Sequence, residues 1–95
     1  MLTIDEIREK SKQVFMMYPV NKVALFGSYA KGLQTEDSDI DLAIKESDVG
    51  ILTVSNIKQK LSSMFARNVD LVSEDDLSEV FRFLIKDEEV IIYEK

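Results

Sequence analysis

Three aspartates lie in strand-like segments of this sequence, in a pattern that could bind a divalent cation. Asp39 and Asp41 are separated by one residue in SDIDLAI, and Asp70 is flanked by apolar residues in VDLV. Side chains alternate between the two faces of a strand, so Asp39 and Asp41 project from one face, about 6–7 Å apart along the chain. Like charges at that spacing repel each other unless a cation lies between them. If the strand that contains Asp70 lies beside the first, three carboxylates converge.

The chemistry of such a site follows from its ligands. Carboxylate oxygens in a sequence without histidine or cysteine form a hard site, which suits Mg²⁺ or Mn²⁺ and suits zinc poorly. Two such ions about 3.5–4 Å apart can hold both the attacking oxygen and the leaving phosphate oxygen of an in-line displacement. The three aspartates therefore predict phosphoryl or nucleotidyl transfer, although a D-x-D motif alone is also typical of a strand end with solvated carboxylates.

A second candidate binding element precedes the aspartates. Gly27 directly follows an apolar run, and Ser28 begins SYAKG, which could form a short helix that ends at Gly32. Glycine allows a ligand to approach the backbone closely, and the amides at a helix N-terminus together with the Ser28 hydroxyl could bind phosphate. A Gly-Ser pair after a strand is also typical of a simple turn with an N-cap serine. The combination with the aspartates is more specific, because each part meets a different requirement of one reaction.

The elements that must position these residues can be traced along the chain. Thr3 and Glu6 have the spacing of a capping box, at the start of an amphipathic helix that ends before Pro19. Four segments predict strands, and they are KVALF (22–26), DIDLAIK (39–45), NVDLVS (68–73) and VIIY (90–93). Apolar residues at helical spacing predict one helix before the third strand and another before the fourth, the latter capped by Ser73 with Asp76. The order α-β-(short α)-β-α-β-α-β predicts an α/β or α+β fold, a sheet with helices packed on it.

Composition limits the classes of protein to which the chain could belong. With 95 residues and 45% hydrophobic content, we expect a single domain over residues 1–95 with its own core. A net charge of -6 without a Lys/Arg cluster argues against direct binding to nucleic acid. The sequence has no apolar run of signal-peptide or membrane-span length and no cysteine for a disulfide framework, so the expected location is the cytoplasm.

Taken together, these segments resemble a known family. FGSYAKG, SDIDLAI and VDLV are similar to the nucleotidyltransferase superfamily of the polymerase-beta type, whose pattern is Gly-Ser, a D-x-D strand and a third acidic residue on a later strand. With a helix before the first strand and a closing IKDEEVIIYEK, the chain resembles more narrowly the minimal nucleotidyltransferases, which are often paired with an all-helical HEPN partner in toxin–antitoxin modules. The resemblance covers nearly the whole chain and implies a polymerase-beta-like fold with a small mixed sheet of four strands.

The resemblance also implies roles for individual residues. It makes Asp39 and Asp41 ligands of two Mg²⁺ ions, with Mn²⁺ as an alternative metal. It makes Asp70 the third ligand, which promotes deprotonation of the nucleophile. Gly27 and Ser28 would bind the terminal phosphates of ATP. The resemblance therefore implies both a metal site and a phosphate site.

The function that the resemblance implies needs a separate acceptor. A chain of this length leaves no second domain to form an acceptor pocket, so we expect the acceptor to be another molecule. The first interpretation is a Mg²⁺-dependent protein adenylyltransferase that transfers AMP from ATP to a tyrosine of a HEPN-family helical toxin. It would act as the antitoxin of a type VII-like module, in a hetero-oligomer with that toxin. Two alternatives are a non-catalytic antitoxin that neutralises its toxin by steric binding, and an enzyme that modifies a small hydroxylated molecule.

Two positions have more than one interpretation. Lys31 stands where many relatives have arginine, and lysine keeps the charge but loses bidentate phosphate recognition, so it is either a nucleotide contact or a solvated surface residue. Phe83 lies away from the helix face that Phe81, Leu84 and Ile85 share. It is therefore either a stray aromatic beside a core stripe or an exposed anchor for a partner.

Overall fold

A computed structural model describes residues 2–95, which form a four-stranded sheet with helices packed on it. The strands are β1 (Lys22–Phe26), β2 (Ile40–Lys45), β3 (Val69–Ser73) and β4 (Val90–Glu94). The helices are α1 (Ile4–Phe15), α2 (Gly27–Lys31), α3 (Ile51–Phe65) and α4 (Glu79–Ile85), with a 3-10 turn at Glu74–Asp76. None of the helices within the described range is both long and apolar enough to cross a membrane. The order of elements is the one predicted from the sequence, apart from the added 3-10 turn.

The sheet is mixed, and its strand order is β3-β2-β1-β4. Strand β1 pairs antiparallel with both β2 and β4, whereas β2 and β3 are parallel. Parallel neighbours need a crossover connection, and α3 provides it. Because β1 runs against β2 and β3, the end of β1 lies at the same edge of the sheet as the beginnings of the other two. This edge brings the Gly-Ser segment and the aspartates together.

The core lies on one face of the sheet. Alternate residues of β2 are fully or almost fully buried, and they belong to one apolar cluster with side chains of α1 and α3. The members of this cluster that β2, α1 and α3 contribute include Ile40, Leu42, Ile44, Ile7, Phe15, Ile57 and Leu61. Complete burial of a large apolar side chain stabilises a fold by about 1.5–3 kcal/mol. Asp41 projects from the opposite face of β2, outside this apolar cluster.

The helix ends agree with the sequence at α1 and differ at α4. At α1, the Thr3 hydroxyl accepts a hydrogen bond from the Glu6 backbone N–H at 3.1 Å, as the capping box predicts. The prediction that Ser73 caps the last helix is wrong. Ser73 is paired with Ile44 in the sheet, so its backbone is committed to β3. Ser78 is the N-cap of α4, and its hydroxyl accepts from the Phe81 N–H at 3.1 Å.

Candidate active site

The parallel pairing of β2 and β3 places Asp41 and Asp70 side by side. The two residues are direct partners in the register, and adjacent strands are about 4.8 Å apart. Their carboxyl groups are close enough to share a hydrogen bond when one of them is protonated. Asp39 immediately precedes β2 and is exposed, while Asp41 and Asp70 are partly buried. The strand that contains Asp70 thus lies beside the D-x-D strand, as the convergence of three carboxylates requires.

The electrostatic environment of Asp41 is unfavourable for a carboxylate. Burial, followed by the charges of Asp70 and Asp39, raises the pKa of Asp41 from 3.8 to about 6. Each of these causes disfavours the charged form, and none of them is a nearby cation. A divalent cation would reverse this balance, because it favours the ionised form of every carboxylate that it touches. The donor set consists of carboxylate oxygens, which fits Mg²⁺ or Mn²⁺.

In this structure the side chains of Asp39, Asp41 and Asp70 are not arranged as ligands of one ion. Within residues 2–95, no group of three or more acidic, histidine or cysteine side chains is close enough to hold a metal ion as it stands. Carboxylates without a counterion repel one another, and the exposed Asp39 can move away from the pair at little cost. The strand pairing holds the backbones of Asp41 and Asp70 side by side, whereas Asp39 lies outside β2.

Gly27 is in direct contact with the Asp41 side chain. Its φ of 73° lies in the left-handed region that favours glycine. A Cβ at this position would overlap the Asp41 Oδ2 atom and would lie 3.2 Å from the Asp41 Cγ atom. The pairing of Phe26 with Asp41 brings the two residues together. The role of Gly27 in close approach of a phosphate stays a prediction, and in the structure the Asp41 carboxylate lies against this residue.

Ser28 lies in the first turn of α2 and is partly buried. The N-cap of this helix is Phe26, which has no side-chain hydrogen bond to the helix, so Ser28 is not the N-cap of a simple turn. The helix ends at Gly32, whose φ is 72° and ψ is 20°. Because α2 directly follows β1, its first turn lies at the sheet edge where β1 ends and β2 and β3 begin.

Lys31 is exposed in the last turn of α2. Its Nζ atom forms an ion pair with Glu88 Oε2 at 3.3 Å, and both side chains are nearly half exposed. The ion pair of Lys31 is therefore with the turn before β4 and not with Asp39, Asp41 or Asp70. This position is consistent with either interpretation of Lys31 that the sequence allows.

Three polar residues near the site were missed by the sequence analysis. Tyr29 is fully buried, and its hydroxyl accepts a hydrogen bond from Nη1 of Arg67. Asn68 donates from its side chain to Asp70 Oδ1 at 3.4 Å, and its carbonyl accepts from the Ile40 N–H at 3.0 Å. The only sequence signal for these contacts was position, because Arg67 and Asn68 directly precede VDLV and Tyr29 directly follows Ser28.

The sequence matches the family model described as "Polymerase beta, Nucleotidyltransferase" over residues 9–95, a range that includes the Gly-Ser segment and all three aspartates. A relative from Methanocaldococcus jannaschii, provisionally named a protein adenylyltransferase, is 34% identical over 82 residues, which are 81% of this chain and 84% of the relative. The protein adenylyltransferase MntA of Thermococcus cleftensis is 29% identical over 82 residues, which are 81% of this chain and 83% of MntA.

Solved structures share the fold. A crystal structure of a toxin–antitoxin with AMP-PNP includes a chain that matches with a TM-score of 0.81 and 26% identity, over 93% of this chain and 73% of that chain. A tri-AMPylated HEPN toxin of Shewanella oneidensis in complex with an MNT antitoxin gives a match with a TM-score of 0.76 and 22% identity, over 98% of this chain and 74% of that chain. The fold that places the aspartates on neighbouring strands is thus also the fold of chains found in toxin–antitoxin complexes.

Proposed function

Because this chain belongs to the polymerase beta nucleotidyltransferase family, we propose that it transfers AMP from ATP to a tyrosine of a partner HEPN toxin and acts as its antitoxin. The reaction is proposed to depend on Mg²⁺ and to take place in the cytoplasm. The observation that supports it best is the position of Asp41, which lies beside Asp70 on the neighbouring strand and against Gly27 at the start of α2. Candidate metal ligands and a candidate phosphate site thus meet at one point.

The metal site is proposed to consist of Asp39, Asp41 and Asp70. The raised pKa of Asp41 supports this assignment, because two further acidic groups act on it without a compensating cation. When bound, Mg²⁺ would neutralise charge on the triphosphate and lower the pKa of the attacking hydroxyl. Asp70 is the proposed acceptor of that proton, because it lies directly beside Asp41 on the neighbouring strand and accepts a hydrogen bond from the Asn68 side chain.

The phosphate site is proposed to consist of Gly27, Ser28 and the first backbone N–H groups of α2. The N-cap residue Phe26 makes no side-chain hydrogen bond to this helix, so we propose that the N–H groups of the first turn donate to the β- and γ-phosphates and that the Ser28 hydroxyl adds one more donor. Lys31 is proposed as a weaker contact, because it would have to leave Glu88 to reach the nucleotide.

The proposed transfer forms one bond and breaks one bond. The acceptor oxygen bonds to the α-phosphorus of ATP, the bond to the bridging oxygen breaks, and pyrophosphate leaves. The proton of the hydroxyl passes to Asp70 and then to water. Tyrosine is the proposed acceptor because a phenol, with a pKa near 10, loses its proton more readily than an aliphatic hydroxyl.

The experiment that tests this function combines the purified partner toxin, ATP and Mg²⁺ with either the wild type or the double variant Asp39→Ala/Asp41→Ala. The intact mass of the toxin and its toxic activity are read together. We expect mass increases in steps of one AMP with the wild type alone, matched by loss of toxicity. The wild type and the double variant should both still bind the toxin. Equal neutralisation by the double variant without any mass change would overturn the catalytic proposal and favour neutralisation by steric binding.

A further inference from the structure

We propose that Arg67 and Tyr29 form a positioning pair that holds α2 in place relative to β3. Nη1 of Arg67 donates to the Tyr29 hydroxyl, a contact between residues that are 38 positions apart in the sequence. The inference rests on the proposed function, since the groups that the pair positions are the candidate phosphate site and the candidate metal ligands. Neither residue is proposed to touch ATP or the acceptor.

The position of the pair in the fold is the first argument. Tyr29 directly follows Ser28 in α2, and Arg67 precedes Asp70 by three residues. Since α2 follows β1 and β2 lies between β1 and β3, the contact crosses the beginning of β2. The neighbouring Asn68 accepts a hydrogen bond from the Ile40 N–H through its carbonyl and donates one to Asp70 through its side chain. Hydrogen bonds from Arg67 and Asn68, two through side chains and one through the Asn68 backbone carbonyl, thus connect all three elements that contain candidate site residues.

The second argument is that Ala66 and Arg67 each have an energetically unfavourable local feature. Ala66, which ends α3, has a φ of 53°, a conformation that is rare for residues other than glycine. The Nε atom of Arg67 is buried and finds no hydrogen-bond acceptor within residues 2–95. Burying an unpaired donor costs free energy, and an apolar pair could fill the same space without that cost. A role beyond packing would explain why an arginine and a tyrosine occupy these positions.

The test compares Tyr29→Phe with Tyr93→Phe in AMP transfer to the toxin, with ATP and Mg²⁺ varied. The control residue, Tyr93, packs its ring against Phe15 in the core and lies outside the candidate site. For Tyr29→Phe we expect kcat to fall about ten- to a hundredfold, because small misplacements of reacting groups have effects of that size. Toxin binding should not change, and Tyr93→Phe should retain wild-type kcat and KM.

A second pair of variants separates positioning from packing. Arg67→Lys keeps a cationic donor and should recover part of the kcat that Arg67→Met loses, measured well below the unfolding temperature of each variant. If the wild type transfers AMP and Tyr29→Phe matches it in kcat and KM, the pair is merely structural, whatever its effect on stability. If the wild type neither transfers AMP nor binds ATP in calorimetry, the proposed function and this inference are both overturned.

Discussion

At the scale of single residues, Asp41 links stability to pH. Its pKa in the folded protein, about 6, lies above the ordinary value of 3.8. A carboxyl group whose pKa is raised on folding binds its proton more tightly in the folded state, so its contribution to stability is full below pH 3.8 and is lost as the pH rises through about 6. Above that range the ionised group destabilises the fold unless a cation is bound.

Replacing Asp41 by asparagine should therefore stabilise the metal-free protein at neutral and higher pH. Partial exposure to solvent screens the interaction, so we expect a gain of only about 1 kcal/mol at pH 8, and no gain near pH 4. Urea unfolding of both proteins at both pH values measures this difference. Added Mg²⁺ should stabilise the wild type more than Asp41→Asn. A free energy difference that does not depend on pH would contradict the assigned environment of Asp41.

Gly27 and Gly32 allow backbone strain to be separated from damage to the site. Their φ values are 73° and 72°, but a Cβ at Gly32 would have no neighbour within 4 Å, whereas one at Gly27 would collide with Asp41. We expect each alanine substitution to cost about 1 kcal/mol of stability from the left-handed conformation. Only Gly27→Ala should also displace the Asp41 carboxylate and abolish AMP transfer. Full activity of Gly27→Ala would show that contact with Asp41 is not essential.

At the scale of elements, local patterns predicted most of the fold. The predicted strand at 22–26 has the bounds of β1, and β2 begins one residue later than predicted. These two strands could be predicted because a strand buried on both faces reads as an apolar run, and a strand buried on one face reads as alternating apolar and polar residues. The N-cap of α4 was assigned wrongly because Ser73 and Ser78 are both suitable caps locally. Pairing of Ser73 with Ile44 in the sheet decides between them, and a local pattern does not show that pairing.

Helix α4 offers a prediction about its two phenylalanines. Phe83 is 76% exposed, but Leu84, which the pattern placed in a core stripe, is 61% exposed as well. The Phe81 ring packs edge-on against Phe26 with ring centroids 5.9 Å apart. Phe81→Ala should therefore lose at least about 0.5–1.5 kcal/mol in urea unfolding, and Phe83→Ala should change stability by less than about 0.5 kcal/mol. The role of Phe83 as a partner anchor stays a prediction. Unchanged toxin affinity of Phe83→Ala would contradict it.

At the scale of the whole molecule, topology decides how much of the candidate site could be predicted. A helix between two strands favours a parallel crossover, so the proximity of Asp41 and Asp70 could be expected from element order. The contact of Arg67 with Tyr29 could not, because it joins residues that are 38 positions apart in the sequence and no local pattern indicates it. The approach of Gly27 to Asp41 also depends on the register of β1 against β2, which the sequence pattern leaves open.

The net charge of -6 leads to a prediction about ATP binding by the whole protein. ATP is itself an anion, so the carboxylates at the site should repel it until Mg²⁺ is bound. We expect ATP alone to raise the melting temperature only slightly, and ATP with Mg²⁺ to raise it by more than the sum of the separate effects. In Asp39→Asn/Asp41→Asn this coupling should disappear, and ATP without metal should bind more tightly than it binds the wild type. Thermal unfolding with each ligand alone and with both together measures the coupling. Additive shifts in the wild type would mean that the carboxylates and the nucleotide do not share a metal.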